Sequence, residues 1–179
     1  MSKNTNIFQP DNLNKYPIFQ YFNNCYYLNL TKYCYLLQNF QIKIITVEEY
    51  LKKLDTLPII ESVEIQPFAS YIYKTSNKIE HTNAGIIINE PIIKNLKLTE
   101  SEQLAAIAHE IGHILFFFLE NKEDYPGPNG EEIYCDSIAC KIGLSAEMLS
   151  IIIKLINDKN YSEFSCSLYI RKNILKHCR

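Results

Sequence analysis

The sequence lacks the features that mark nucleic-acid-binding and membrane proteins. Its 18 Lys and Arg residues are matched by 20 Asp and Glu residues, so the net charge of −2 leaves no basic surface for nucleic acid or acidic lipid. No apolar run approaches the ~20 residues that a transmembrane helix needs, and the stretch 114–119 is far too short. We therefore predict no nucleic-acid partner and no membrane partner.

The cysteines also lack the usual spacing of a zinc site, because none of the six forms a C-x-x-C pair. Cys135 and Cys140 are five residues apart on a predicted helix and face different directions. The N-terminus does not resemble a secretory signal peptide, so we expect reduced thiols in a cytoplasmic protein, although the even number of cysteines leaves disulfides open. Cys25 or Cys34 could bind a metal and keep its site inactive, but an ordinary buried thiol is the better interpretation of each.

The most informative part of the chain is an apolar stretch that the pattern predicts to be helical. Thr99 and Glu102 have the spacing of a capping box, which marks the start of a helix. Apolar residues then recur at intervals of three and four between residues 104 and 118, as on a helix with one buried face.

This predicted helix carries a His-Glu-x-x-His motif. His109 and His113 lie one turn apart on one face of the helix, where their side chains can bind one divalent metal ion. Glu110 lies beside them and can accept a proton from a water that the metal activates. The alternative is a chance match of five residues on a core helix.

A second predicted helix, residues 131–142, follows a loop at 121–130 that is rich in Pro, Gly and charged residues. The loop cannot continue the first helix, so the chain can return antiparallel to it. Glu132 and Asp136 then share one face: Glu132 can complete the metal shell, and Asp136 can accept the second N–H of a ligating histidine. We interpret Glu131 as a solvated residue of an acidic first turn.

Together the two motifs resemble those of the gluzincin metallopeptidases. The His-Glu-x-x-His motif is followed by Glu132-x-x-x-Asp136, and the run 107–115 looks most like the ImmA/IrrE-type branch of small zinc peptidases. The resemblance covers about residues 84–143. It implies a zincin-like fold, a protein or peptide substrate and one zinc ion, with His109, His113 and Glu132 as ligands, Glu110 as general base and Asp136 supporting a histidine.

Two features differ from that family. Cys135 stands where the family often has Ala, which is a small change. Many members also have a histidine or tyrosine that steadies the tetrahedral intermediate, and the sequence does not identify it. The candidates are Tyr125, Tyr134, His81 and His177.

We predict an α+β fold in which a small antiparallel or mixed sheet packs on the motif helix and on the second, Glu-bearing helix. One domain would span residues 1–179, and we expect its parts in this order: a flexible arm at 1–15, a helical part at 16–60, the sheet and metal-site helices at 62–143, and C-terminal helices at 144–179. The basic end of the last helix, which includes Arg171, is interpreted as a solvated helix terminus.

Residues 26–40 are predicted to be helical, and a second capping box at Thr46 predicts a helix to about Leu54. Short β-branched or aromatic runs predict strands at 42–45, 62–66, 69–74 and 84–89, the last three as an antiparallel meander. Because an extended peptide can add to a sheet edge, Gly85, Ile86, Ile87 and Ile88 are the candidate substrate strand. A buried core strand is an equally good interpretation of this continuously apolar run.

The sequence thus favours a zinc-dependent endopeptidase. The alternative is a zincin-fold binding or structural protein, for example a phage-associated one, in which the metal stabilises the fold. A DNA-binding regulator is disfavoured because no helix-turn-helix is recognisable.

Overall fold

The computed structural model describes residues 19–22, 25–28, 41–55, 57, 66–74, 82–117 and 121–178. It has the predicted α+β composition. The chain divides into two compact units, one spanning Ile7–Pro91 and the other made mainly of Ile92–Arg179. The single domain therefore stays a prediction, and the predicted arm at 1–15 lies outside the described residues.

The first unit contains a five-stranded mixed sheet with the strand order β1-β2-β3-β5-β4. β3 and β5 pair in parallel, whereas the other neighbouring strands are antiparallel. The antiparallel pairing of the last two predicted strands is thus confirmed, and their parallel neighbour was not predicted. The bounds are β1 (Phe19–Phe22), β2 (Cys25–Leu28), β3 (Gln41–Thr46), β4 (Phe68–Lys74) and β5 (Thr82–Ile88).

The helix predicted at 26–40 is wrong at residues 26–28, which belong to a strand. Tyr26 and its neighbours form β2, which pairs with β1 on one side and β3 on the other, as suits aromatic residues of high β-propensity. Residues 29–40 and 61–65 lie outside the described part. After β3, the Thr46 hydroxyl accepts a hydrogen bond from the Glu49 N–H at 3.1 Å, which confirms Thr46 as the N-cap, whereas the Glu49 carboxylate pairs with Lys53. The helix that follows, α1 (Val47–Leu51), ends earlier than predicted.

The candidate substrate strand is not at an edge of the sheet. β5 lies between β3 and β4 and pairs with both, so its backbone offers no free edge for an added peptide. Its side chains from Ala84 to Ile88 are buried, and a Cβ on Gly85 would lie 2.2 Å from the ring of Tyr71 on β4. The prediction that Gly85, Ile86, Ile87 and Ile88 bind substrate in this way is therefore wrong, and the buried-core interpretation is correct.

The second unit is helical. Its elements are α2 (Glu90–Asn95, which begins at the end of the first unit), α3 (Glu100–Phe117), α4 (Gly130–Lys141), α5 (Ser145–Asn157) and α6 (Ser165–Leu175). α3 packs against α4 and α5, and α6 packs against α4 and α5. The capping box at the start of α3 is confirmed, because Thr99 and Glu102 exchange side-chain-to-backbone hydrogen bonds of 2.6 and 3.3 Å.

A glycine lets α3 and α4 approach closely beside the motif. A Cβ on Gly112 would lie 2.5 Å from the Cα of Cys135, which is closer than such atoms can approach. The glycine therefore sets the separation of the two helices at this point. In the part of the chain that the structure describes, no helix is long and apolar enough to cross a membrane.

Candidate metal centre

The two motif histidines lie together on α3, as predicted. Their ring centroids are 4.9 Å apart and the rings are nearly perpendicular, at 84°. His109 is buried and His113 is half-buried. The i and i+4 spacing on α3 produces this arrangement, because such residues project from adjacent turns of one face.

The carboxylate of Glu132, on α4, lies between the two histidines. Its Oε2 is 3.4 Å from Nε2 of His109, and its Oε1 is 3.5 Å from Nε2 of His113. Bonds of 2.0–2.1 Å to a tetrahedral zinc ion separate any two ligand atoms by about 3.4 Å. The predicted three residues are therefore together, and each Nε2 lies at about this separation from one oxygen of Glu132.

A carboxylate also contacts the Nδ1 atom of each histidine. The Nδ1 of His109 is 2.9 Å from Oδ1 of Asp136, as predicted for that aspartate. The Nδ1 of His113 is 2.8 Å from Oε1 of Glu131, so the interpretation of Glu131 as merely solvated is wrong, although its side chain is 48% exposed. A carboxylate at Nδ1 leaves Nε2 free to bind a metal and raises the basicity of the ring.

An arginine that the sequence analysis placed in solvent is part of the centre. Arg171 on α6 is only 8% exposed. Its Nε and Nη2 donate to both oxygens of Asp136 at 2.9 and 2.8 Å, and its Nη1 is 2.7 Å from Oε2 of Glu132. A signal was available: Leu168, Arg171 and Leu175 share the buried face of α6, and an arginine there needs a buried partner.

These contacts set the protonation of the centre. Burial and Arg171 act to lower the pKa of His109, but the hydrogen bonds to Asp136 and Glu132 outweigh them and raise it to about 9. Burial acts to raise the pKa of Glu132, yet the histidines and Arg171 hold it well below its usual range. Glu132 is therefore ionised, and a metal at Nε2 of His109 would take the place of the proton there.

Cys135 is the other residue that reaches the two histidines. Ligand atoms of His109, His113 and Cys135 lie within 4.8 Å of one another, so these three side chains could hold a metal ion. Burial, and then the nearby carboxylates, raise the pKa of the Cys135 thiol far above its usual range, whereas a metal binds the thiolate. We therefore prefer Glu132 as the third ligand, since it is already ionised and its two oxygens lie 3.4 and 3.5 Å from the Nε2 atoms.

The chemistry of the surroundings fits a divalent cation. Four carboxylates act electrostatically on Cys135, those of Glu132, Glu110, Glu131 and Asp136, and the Arg171 guanidinium pairs with two of them, Asp136 and Glu132. Glu110 is only 8% exposed, and no hydrogen bond or ion pair joins it to another residue within the described ranges. A buried carboxylate without a partner is costly, so a site that holds a metal and its water suits this position.

The other described candidates, Tyr125, Tyr134 and His177, contact residues outside this cluster. Tyr125 and Tyr134 pack with Phe116, with ring centroids 5.0 to 6.4 Å apart. The Nδ1 of His177 donates to the carbonyl of Asn173 at 2.8 Å, in the exposed turn that ends α6. His81 lies outside the described residues. The residue that would steady a tetrahedral intermediate is thus not identified among the side chains described here.

Comparison with known proteins does not assign the chain to a group. No protein-family model matches it, and no match was found among the curated proteins or the solved structures.

Proposed function

We propose that this chain is a zinc-dependent endopeptidase of the gluzincin type, similar to the ImmA/IrrE-type peptidases. One observation carries the proposal: the Nε2 atoms of His109 and His113 converge on Glu132, while each Nδ1 is held by a carboxylate. Surface ion pairs seldom orient two histidines in this way, whereas carboxylate-supported histidines are the usual ligands of zinc.

Each residue has a distinct role in this proposal. Bound zinc would supply Lewis acidity and a water whose pKa is lowered toward ~7. Glu110 accepts the proton of the attacking water and passes it to the leaving amine. Asp136 and Glu131 hold the Nδ1 atoms of His109 and His113 and so direct each Nε2 toward the metal position.

The position of Glu110 favours an enzyme over a structural metal site. A structural site needs four protein ligands and no general base. Glu110 is buried beside the histidines without a partner in the described part of the chain, which would cost stability in a protein that made no use of it. We propose that catalysis explains this cost.

The alternative function is a binding or structural protein in which the metal only stabilises the fold. The observation that favours it is Cys135, because a thiolate added to His109, His113 and Glu132 would complete four protein ligands. The two functions differ in whether the zinc-loaded protein hydrolyses peptides.

The test compares two matched glutamates on α3. Zinc-loaded protein is assayed on an unstructured protein such as casein and on a mixed peptide library. We expect Glu110→Gln to keep zinc and lose about 10²–10⁴-fold in rate, because the general base is removed. Glu100→Gln, at the start of the same helix, should keep both properties. Full activity in Glu110→Gln would contradict the proposed base, and zinc binding without hydrolysis of any substrate would favour the alternative.

A further inference from the structure

Cys135 has no role in the proposed reaction, yet it lies at the centre of the site. It is completely buried on α4, one turn after Glu132 and against Gly112 of α3. Its Sγ lies within 4.8 Å of ligand atoms of His109 and His113. Zinc–sulfur and zinc–nitrogen bonds of 2.3 and 2.0–2.1 Å separate S and N by roughly 3.6 Å, so a shift of at most about 1 Å would bring these ligand atoms to the separations of a shared zinc ion.

Packing alone is a poor explanation for this cysteine. A buried free cysteine usually behaves as a small apolar residue with apolar neighbours. Ligand atoms of the two motif histidines lie within 4.8 Å of the Cys135 sulfur, and nearby carboxylates act electrostatically on the thiol. Alanine would fill the space against Gly112 without bringing a thiol into this charged setting.

We propose that Cys135 is a fourth protein ligand of the metal centre. With its thiolate bound, the metal would have four protein ligands and no position for water, so hydrolysis would require release of the thiol. On binding, the S–H proton leaves to solvent and a sulfur–metal bond forms in its place. The inference rests on the metal site of the proposed function and adds to it a preference for soft ions such as Cd²⁺.

The experiment is a titration of the metal-depleted full chain with Co²⁺, followed by absorbance. A cobalt–thiolate bond gives an intense charge-transfer band in the near-ultraviolet, which histidine and carboxylate ligands do not give. We expect this band in the native protein and in Cys140→Ser, a control on the same helix with a half-buried thiol outside the cluster. We expect it to be absent from Cys135→Ala.

A second readout is the affinity for Cd²⁺ measured by competition with a chelator. The Cd²⁺ affinity of Cys135→Ala should be at least ~10-fold lower than that of the native protein, since even the loss of a residue that only supports a ligand costs that much. The loss in Mn²⁺ affinity should be smaller, because Mn²⁺ prefers oxygen ligands. Circular dichroism confirms that the variant is folded. Equal losses for the two ions would contradict thiolate ligation.

The outcomes separate the inference from the function on which it rests. Co²⁺ that binds in a His113-dependent way without the near-ultraviolet band would overturn ligation by Cys135 and leave the metal site intact. A band that persists in Cys135→Ala would assign it to another thiol and overturn the inference as well. Failure of the native protein to bind Co²⁺ or Zn²⁺ would overturn both proposals.

Discussion

Arg171 and Asp136 form a buried, two-point ion pair between α6 and α4. The guanidinium donates through Nε and Nη2 to both carboxylate oxygens, at 2.9 and 2.8 Å, and the same Asp136 oxygen that accepts from Nη2 lies 2.9 Å from Nδ1 of His109. A third contact, 2.7 Å from Nη1 to Glu132, links Arg171 to the proposed third ligand. The positions of Asp136 and Glu132 therefore depend on Arg171, a residue more than thirty positions after them in the chain.

We predict that Arg171→Met destabilises the protein strongly. Loss of the cation leaves Asp136 buried without its charged partner, and breaking a buried pair in this way costs about 3–5 kcal/mol. Urea unfolding measures the change in free energy. Lys176→Met, at the exposed end of the same helical segment, is the control and should change stability little. Equal stability of the two variants would contradict the structural role of Arg171.

We predict that Glu131→Gln weakens zinc binding with little effect on stability. The amide cannot support His113 as the carboxylate does, and loss of such a partner typically costs 10–100-fold in metal affinity. Because the Glu131 side chain is half exposed, its contribution to the fold is small. Competition with a chromophoric chelator measures the affinity, with Glu123→Gln in the exposed loop as control. Unchanged zinc affinity would contradict the prediction and show that Glu131 does not support His113.

We predict that Gly112→Ala destabilises the protein, contrary to the usual effect in a helix. Ala in place of an interior helical Gly ordinarily stabilises by about 0.5–1 kcal/mol. Here the new methyl group would meet the backbone of Cys135 at 2.5 Å and force α3 and α4 apart, a change of the kind that costs about 1–3 kcal/mol. Thermal unfolding and zinc affinity should both decrease; an increase in melting temperature would contradict the close approach.

We predict that Glu102→Gln lowers the free energy of unfolding by an amount that depends on pH. Burial acts to raise the pKa of Glu102, but hydrogen bonds from Lys154, Ser150 and the Thr99 N–H hold it below its ordinary value of 4.5. A lowered folded pKa stabilises the protein fully above that ordinary value, and the contribution is lost as the pH falls through the folded pKa. The variant should be less stable at pH 7, by about 1–3 kcal/mol.

Urea unfolding at pH 7 and at about pH 3 tests this sign. The difference between native protein and Glu102→Gln should shrink at the lower pH, because Glu102 is then increasingly protonated. Other titrating groups are common to both proteins and cancel in the comparison. A difference that grows as the pH falls would contradict the lowered pKa.

The two motif helices could be predicted because their signals are local. The capping box at Thr99, the one-turn spacing of His109 and His113 and the turn-rich loop after them are short-range features, and the structure confirms each. The contact of Asp136 with a histidine could also be predicted, because its spacing from Glu132 places both on the same helix face. Local periodicity was therefore enough to bring His109, His113 and Asp136 together.

The features that the sequence did not predict depend on distant parts of the chain. Arg171 was interpreted as solvated because its partner, Asp136, lies on another helix, α4. Glu131 was interpreted as solvated because its contact with His113 depends on the rotation of α4 about its axis. The parallel pairing of β3 with β5 likewise joins strands about 40 residues apart. This pairing buries β5, which is why the proposed substrate strand could not be judged from its apolar sequence alone.

The most direct test of the central claim is the metal content of the purified protein, measured by elemental mass spectrometry without added zinc. We expect about one zinc ion per chain in the native protein and in Glu110→Gln, and none in His113→Ala, since two histidines and one carboxylate are needed to hold it. A folded native protein that contains no zinc and binds none when zinc is added would contradict the account.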